Sequence, residues 1–159
     1  MLIYLLRHAN ADTEASTDDG RTLSEKGREQ AATVARFCEA QELQVSIVLT
    51  SPLPRAHQTA EPVSEALGAK LLVCPWLSCG MNPAAALNEL RAHRRHKSVM
   101  MVGREPDFSE FAAHLLGLRT PTAISIRKAS LTLIELDLLR AGAGRLQFSM
   151  PCRLMRRHA

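Results

Sequence analysis

The sequence predicts a three-layer α/β fold with a mainly parallel central sheet, helices on both faces and a C-terminal antiparallel hairpin at the edge. Strand-like and helix-like segments alternate along most of the 159 residues, which is typical of layered α/β proteins. The last quarter differs, because two strand-like segments follow each other across a glycine-containing turn at 140–144. At this length we expect a single domain over residues 1–159.

The first predicted strand covers residues 2–6, an apolar segment that ends abruptly in Arg7 and His8. In open parallel sheets, ligands bind at the carboxyl ends of the strands. Arginine carries a permanent charge on a planar fork that suits phosphate, and neutral imidazole is a nucleophile near neutral pH. This strand is therefore predicted to deliver a phosphate ligand and a residue that can accept a phosphoryl group.

The remaining elements follow from the spacing of apolar residues, from Ser24 as a helix N-cap and from Gly68 as a helix stop. In chain order we predict a helix over 24–41, a strand over 45–50, a helix over 55–67, a strand over 71–74, a helix over 83–95, a strand over 98–102 and a helix over 107–116. Strands over 130–136 and 146–150 then form the hairpin, which adds antiparallel edge strands to the sheet.

Composition narrows the class of protein. Apolar residues make up 46% of the chain and aromatic residues only 4%, so Leu, Val, Ile and Ala must build the core. No apolar run is long enough for a membrane span and no basic leader precedes the first strand, so we expect a cytoplasmic protein without a membrane partner. Cys38, Cys74, Cys79 and Cys152 lack metal-binding spacing. We expect reduced thiols, with one disulfide as the alternative, and neither a metal nor a cofactor.

The charge of the chain permits an anionic substrate or partner. The net charge is +4 and the isoelectric point is about 9.2. With few aromatic residues and no nucleic-acid-binding motif, we expect no nucleic acid. Basic residues cluster at 91–97 and 153–158. We expect both clusters to be solvated, with a docking surface for an acidic partner as the alternative.

Three predicted strands end in polar loops that can meet at one edge of the sheet. Besides Arg7 and His8, these loops are residues 51–55 and 103–106, which contain Arg55 and Arg104. Parallel neighbouring strands would bring the three arginines and His8 into one basic pocket, where helix N-termini add favourable dipoles for an anion. The predicted occupant is a dianionic phosphoryl group.

Several motifs resemble those of the histidine phosphatase (phosphoglycerate mutase-like) superfamily. Residues 6–9, Leu-Arg-His-Ala, are similar to its Arg-His-Gly signature, and residues 51–59 match its second motif, Ser-Pro-x-x-Arg-Ala-x-x-Thr. Residues 18–27 resemble the Asp-x-x-Arg-x-Leu-(Ser/Thr)-x-x-Gly pattern of its short branch. That branch includes the bacterial phosphohistidine phosphatases of the SixA type. The resemblance runs from Met1 to about Leu116.

The resemblance implies a role for each matching residue. His8 becomes the nucleophile that accepts the phosphoryl group, and Arg7 and Arg55 become ligands that stabilise its charge. Arg21 and Ser51 are implied to bind substrate, although a surface role before a helix stays open for Arg21. The implied substrate is a phosphohistidine on a protein such as a histidine-containing phosphotransfer domain.

The chain departs from the family pattern at Arg104. The third family motif is Gly-His-x-Pro, whereas residues 103–106 read Gly-Arg-Glu-Pro. Arginine can replace the second catalytic histidine as a phosphate ligand, but it offers no titratable proton. We therefore expect an enzyme that is impaired but still active. His57 and His114 are predicted to lie outside the site.

Neither Glu61 nor Glu105 is a convincing general acid by position. A phosphohistidine substrate relaxes that need, because protonated imidazole leaves phosphorus readily. The prediction is thus a metal-independent phosphatase with a phospho-His8 intermediate. The alternatives are a small-molecule phosphomonoester phosphatase of the same fold and a catalytically weak phosphate- or phosphoprotein-binding module.

Overall fold

The structure, a computed structural model, describes residues 1–14 and 17–156. Its strands are β1 (Leu2–Arg7), β2 (Ile47–Thr50), β3 (Lys70–Val73), β4 (Ser98–Gly103), β5 (Leu131–Leu136) and β6 (Gly144–Met150). Its helices are α1 (Glu25–Ala40), α2 (Pro54–Ala66), α3 (Pro83–Leu90), α4 (Asp107–Leu116) and the short α5 (Cys152–Met155).

The strands form a six-stranded sheet in the order β3-β2-β4-β1-β5-β6. The pairs β2–β3, β2–β4 and β1–β4 are parallel, and β1–β5 and β5–β6 are antiparallel. The predicted mainly parallel sheet with an antiparallel hairpin at its C-terminal edge is confirmed. Parallel pairing on both sides of β4 brings the carboxyl ends of β1, β2 and β4 to the same edge.

Helices cover both faces of the sheet, as predicted. The alternation along β1 buries Tyr4 and Leu6 on one face and Ile3 and Leu5 on the other. The first face packs against α1, α2 and α5, and the second against α3 and α4. Each face has its own apolar cluster, so the central strands are buried on both sides and end at the site.

Some element bounds differ from the prediction. Helix α3 ends at Leu90, followed by a 3-10 turn at Arg91–His93, instead of continuing to residue 95. The reason is that residues 91–97 are mostly solvent-exposed, so no apolar face extends the packing. Strand β2 begins at Ile47 rather than at residue 45, because its pairing with β4 begins at Ile47.

The C-terminal segment is less solvated than we expected. Residues 152–155 form α5, and its Cys152 and Met155 are buried against α1. Arg153, Leu154 and Arg156 are exposed. The rest of the predicted basic cluster, residues 157 and 158, lies outside the described residues.

The described residues include no helix with the length and apolar character needed to cross a membrane. The four cysteines are free thiols, three of them buried and Cys79 exposed.

Candidate active site

The ends of three parallel strands are tied together by backbone hydrogen bonds. The amide of His8 donates to the carbonyl of Gly103 over 2.8 Å, and the amide of Ser51 donates to the carbonyl of Val102 over 2.9 Å. The loops after β1, β2 and β4 therefore start side by side. These hydrogen bonds explain how the polar loops that the sequence predicts at this edge come to lie next to each other.

The imidazole of His8 is held in one tautomer. Its Nδ1 lies 2.8 Å from the carbonyl oxygen of Ala9. Since a carbonyl can only accept, Nδ1 carries the proton, and the lone pair available for attack is on Nε2. The residue is only 7% exposed.

Burial also fixes the charge of His8. It lowers the pKa of the imidazole to about 4; the hydrogen bond to Ala9 opposes this shift, and the positive charges of Arg55, Arg7 and Lys128 add to it. His8 is therefore neutral at physiological pH. The site thus presents a neutral, oriented imidazole next to cations, which is what nucleophilic attack on phosphorus requires.

Thr59 connects this nucleophile loop to α2. Its hydroxyl accepts a hydrogen bond from the Ala9 amide over 3.0 Å and donates to the Arg55 carbonyl over 2.7 Å. The residue is completely buried. Sequence reasoning missed this role, although Thr59 is the last fixed position of the motif at 51–59.

Arg55 lies in the first turn of α2 and is only 2% exposed. Its Nη1 donates to the backbone carbonyl of Asp18, and its Nη2 lies 2.9 Å from Oδ2 of the same residue. Asp18 also accepts from Nη1 of Arg21 over 3.1 Å. The hydrogen bond from Arg21, with the charge of Arg55, lowers the pKa of Asp18. Sequence reasoning assigned no role to Asp18, although it opens the motif at 18–27.

The structure gives Arg21 and Ser51 local partners. Arg21 donates from Nε to the Asp12 carbonyl over 2.5 Å and from Nη2 to the Ala11 carbonyl over 3.2 Å, so it fixes the loop after β1. The hydroxyl of Ser51 accepts from the amide of Leu53 over 3.3 Å inside the turn before α2. These contacts shape the loops that carry the site, and substrate binding by the two residues stays a prediction.

Arg7 has a free donor at the site. Its Nη1 donates to the carbonyl of Ile126 over 2.8 Å, whereas its buried Nε has no partner among the described residues. Burial lowers the pKa of Arg7, the charge of Glu105 raises it and that of Arg104 lowers it. An unpaired buried donor is costly, and a bound oxyanion would satisfy it.

Arg104 lies close enough to Arg7 for its charge to act on it, and one of its terminal nitrogens contacts Cys79. Its Nη1 is 2.8 Å from the Cys79 sulfur and 4.0 Å from Oδ2 of Asp107. Its buried Nε, like that of Arg7, is without a partner in the described part of the chain. The structure thus places Arg7 and Arg55 close enough to His8 for their charges to act on it, and the catalytic roles of these residues and of Arg104 stay predictions.

Lys128 is a cation of the site that sequence reasoning missed. Its ammonium donates to Oδ1 of Asn10 over 3.1 Å, and its charge acts on His8. No motif contained it. The only sequence signal was a lysine two residues before the strand predicted over 130–136.

A cleft of about 460 Å³ opens next to Arg7, with Glu105, Ile124 and Ile126 among its lining residues. Oε2 of Glu105 accepts from the Ser109 hydroxyl over 2.5 Å, so this carboxylate is held in place. The cleft offers space for the group attached to a phosphoryl bound at Arg7. Within the described ranges, no three His, Cys, Asp or Glu residues are grouped so as to hold a metal ion.

Two further histidines and Glu61 lie on helices α2 and α4. His57 is on α2 with Nδ1 3.4 Å from Oε1 of Glu61, and both are substantially exposed. His114 lies in the last turn of α4. A peripheral role for both histidines stays a prediction.

Comparisons with known proteins point to one family. Residues 3–78 match the model of the histidine phosphatase superfamily (branch 1). The chain is 29% identical to the phosphohistidine phosphatase SixA of Escherichia coli (strain K12), over 97% of this chain and 96% of that protein. It is 30% identical to an uncharacterized protein of Picosynechococcus sp. (strain PCC 7002), over 92% of this chain and 89% of that protein.

Solved structures show the same fold. The protein histidine phosphatase SixA complexed with tungstate gives a TM-score of 0.87 at 24% identity, covering 98% of this chain and 99% of that chain. The α-ribazole phosphatase from Shigella flexneri gives a TM-score of 0.81 at 14% identity, covering 96% and 97%. From the motifs, the strand-end site and these matches together, we conclude that the chain belongs to the histidine phosphatase superfamily.

Proposed function

We propose that this protein is a phosphohistidine phosphatase that removes the phosphoryl group from a protein histidine through a phospho-His8 intermediate. The observation that carries the proposal is the buried imidazole of His8, which is neutral, fixed as the Nδ1–H tautomer and close enough to the charges of Arg7 and Arg55 for both to lower its pKa. A nucleophile of this kind, set among cations, suits transfer of a dianionic group.

In the first step, Nε2 of His8 attacks phosphorus in line with the leaving nitrogen of the substrate imidazole. The new N–P bond forms as the old one breaks, and the electron pair of the old bond stays on the leaving imidazole. Arg7 and Arg55 balance the charge on the transferring oxygens. We propose that no metal ion is needed, because these fixed guanidinium groups already supply positive charge at the site.

In the second step, water attacks phospho-His8 and releases inorganic phosphate. The hydrogen bond from Nδ1 to the Ala9 carbonyl keeps the ring in place while Nε2 carries the phosphoryl group. When the N–P bond breaks, its electron pair returns to Nε2. The low pKa of His8 then leaves the imidazole neutral and ready for another cycle.

The state of the acidic residues supports a substrate with a P–N bond. Glu61 is exposed and lies 3.4 Å from Nδ1 of His57, and Oε2 of Glu105 is held by the Ser109 hydroxyl. Protonated imidazole leaves phosphorus without a dedicated protein acid, whereas an alkoxide needs one. The SixA relative at 29% identity is named for the same substrate class, and the solved SixA holds tungstate, an oxyanion.

A second candidate function is a phosphoprotein-binding module with slow turnover. One observation favours it: Arg104, at the position of the family's second histidine, has Nη1 2.8 Å from the Cys79 sulfur. A guanidinium in that position cannot act as a general acid or base near neutral pH, because it keeps its proton. Binding would then persist while the chemical steps slow down.

The test is a single-turnover reaction with a histidine-containing phosphotransfer domain that carries radiolabelled phosphohistidine. For the proposed phosphatase, label moves to the wild-type chain and then to inorganic phosphate, whereas His8→Ala acquires no covalent label. Tight binding of the phosphorylated domain with no transfer would favour the binding module. Faster turnover of sugar phosphates than of the phosphoprotein would show that the small-molecule alternative is right.

A further inference from the structure

The turn before β5 is fastened to the strand that carries the nucleophile. The amide of Ala129 donates to the carbonyls of Arg7 and His8 over 3.1 and 3.3 Å. Ala129 adopts a left-handed backbone with φ of 53°, a conformation that costs energy for a residue other than glycine. The surrounding contacts therefore hold the turn in a defined position next to His8.

This turn places the ammonium group of Lys128 beside the loop after β1. Nζ donates to Oδ1 of Asn10 over 3.1 Å. Asn10 is itself fixed, since its amide donates to Oε1 of Gln30 over 2.9 Å and its Nδ2 donates to the Ser24 hydroxyl over 2.8 Å. The lysine head group is thus positioned by α1 on one side and by the turn on the other.

Lys128 lies in an electrostatically unfavourable place. It is half-buried, and burial together with the charges of Arg7, Arg21, Lys26 and Arg55 lowers its pKa. The carboxylate of Asp18 is paired with Arg21 and Arg55. Within the described part of the chain, Lys128 forms no salt bridge.

We propose that Lys128 is a phosphate-binding residue of this site and that a bound phosphoryl group supplies its missing counter-charge. An ammonium has three donors, and Asn10 uses one of them, so two remain for the oxyanion. Lys128 adds a cation on the side of the site where α1 and the turn before β5 meet, whereas Arg104 directs Nη1 towards Cys79. The inference rests on the proposed function, because it assigns a further ligand in the same site.

The matched pair of variants is Lys128→Met and Arg127→Met. Arg127 is the exposed neighbour, and both changes remove one positive charge from the same turn. The probe is inorganic phosphate, titrated calorimetrically into each folded protein without any substrate. We expect Lys128→Met to weaken phosphate binding by about tenfold or more, as for loss of a charge-assisted hydrogen bond. Arg127→Met should change it by less than about twofold.

Salt separates direct contact from a distant field effect. At 1 M NaCl the Debye length is about 3 Å, so only a contacting lysine keeps its advantage over methionine. A Lys128→Met deficit that persists at high salt, and that Lys128→Arg largely restores, supports the proposal. Equal binding by the Lys128 and Arg127 variants, or a deficit that vanishes at high salt, overturns it.

Turnover is measured separately, so the two proposals fail in different ways. If wild-type protein binds phosphate through Lys128 but never transfers label to His8, the phosphatase proposal fails and the lysine assignment stands. If wild-type protein transfers label and Lys128→Met binds phosphate normally, only the lysine assignment fails. The thermal unfolding midpoint of each variant checks folding, and Lys128→Gln provides a second neutral variant that can still donate to Asn10.

Discussion

At the residue scale, His8 owes its chemistry to burial and to one hydrogen bond. The bond from Nδ1 to the Ala9 carbonyl selects the tautomer, and burial removes the charged form of the ring at neutral pH. An exposed histidine would be partly protonated near pH 6.5 and unavailable as a nucleophile to that extent. The same burial gives the folded protein a pH-dependent stability that can be measured.

The first prediction compares the stability of wild type and His8→Ala as the pH falls. The pKa of His8 is about 4 in the folded state and about 6.5 in the unfolded chain. Between these values the unfolded state binds the extra proton, so stability is lost as the pH falls from about 6.5 towards 4. Urea unfolding should show wild type losing about 2 kcal/mol more than His8→Ala between about pH 7 and pH 5. Parallel curves would show that His8 titrates normally.

The second prediction concerns Arg104. If proton transfer is needed at this position, Arg104→His should raise turnover of a phosphohistidine substrate by about 10²–10⁴-fold. The physical reason is that arginine holds its proton, and here its Nη1 contacts Cys79. Rates for both proteins are measured side by side across pH. Equal rates at every pH would mean that only a positive charge matters there.

At the element scale, the approach of α1 to the loop after β1 explains the glycine in the motif at 18–27. A Cβ placed on Gly27 would lie 1.9 Å from the carbonyl oxygen of Asn10. Ser24 caps the same helix by accepting from the Gly27 amide over 3.1 Å. The start of α1 therefore lies in close contact with the loop after β1. That loop contains Asn10, which accepts the hydrogen bond from Lys128.

The third prediction is that Gly27→Ala destabilises the protein, by about 2 kcal/mol or more, and weakens binding of inorganic phosphate. Helix propensity alone predicts the opposite, a gain of about 1 kcal/mol for alanine within a helix. The clash should dominate because backbone atoms of Asn10 cannot move aside cheaply. Urea unfolding and phosphate titration measure the two effects, and a stabilised variant would show that the close approach is relaxed in solution.

At the scale of the whole molecule, the C-terminal helix α5 packs against α1, the first helix of the chain. Met155 in α5 is 0% exposed, whereas the adjacent Leu154 is 42% exposed. The same α1 helix starts at the loop that borders the site. The C-terminal segment thus contributes to the layer that supports the nucleophile loop, and it is more than a solvated tail.

The fourth prediction tests this docking with a matched pair of variants. Met155→Ala should lower the free energy of unfolding by about 2–5 kcal/mol, as for loss of a buried side chain. Leu154→Ala should change it by less than about 1 kcal/mol, because most of that side chain is already in water. Both values come from urea unfolding. Similar small effects at the two positions would show that α5 is frayed in solution.

The sequence by itself determined the order and type of the main elements and the three motif-bearing strand ends. These features depend on local periodicity, on caps such as Ser24 and on the parallel pairing that a βα alternation imposes. His8, Arg7 and Arg55 could be placed together because each lies within a strand-end motif. The bounds of α3 and the docking of α5 could not be predicted, because they depend on which surfaces pack against another element of the fold.

Only the tertiary structure decided which partners each charged side chain contacts. Arg55 meets Asp18 across 37 positions, Arg104 meets Cys79 across 25, and Lys128 meets Asn10 across 118. No local pattern encodes such pairs, because their distances depend on the packing of α1, α4 and the turn before β5 around the sheet edge. The low pKa of His8 has the same origin, since burial is a property of the assembled fold and not of the residue.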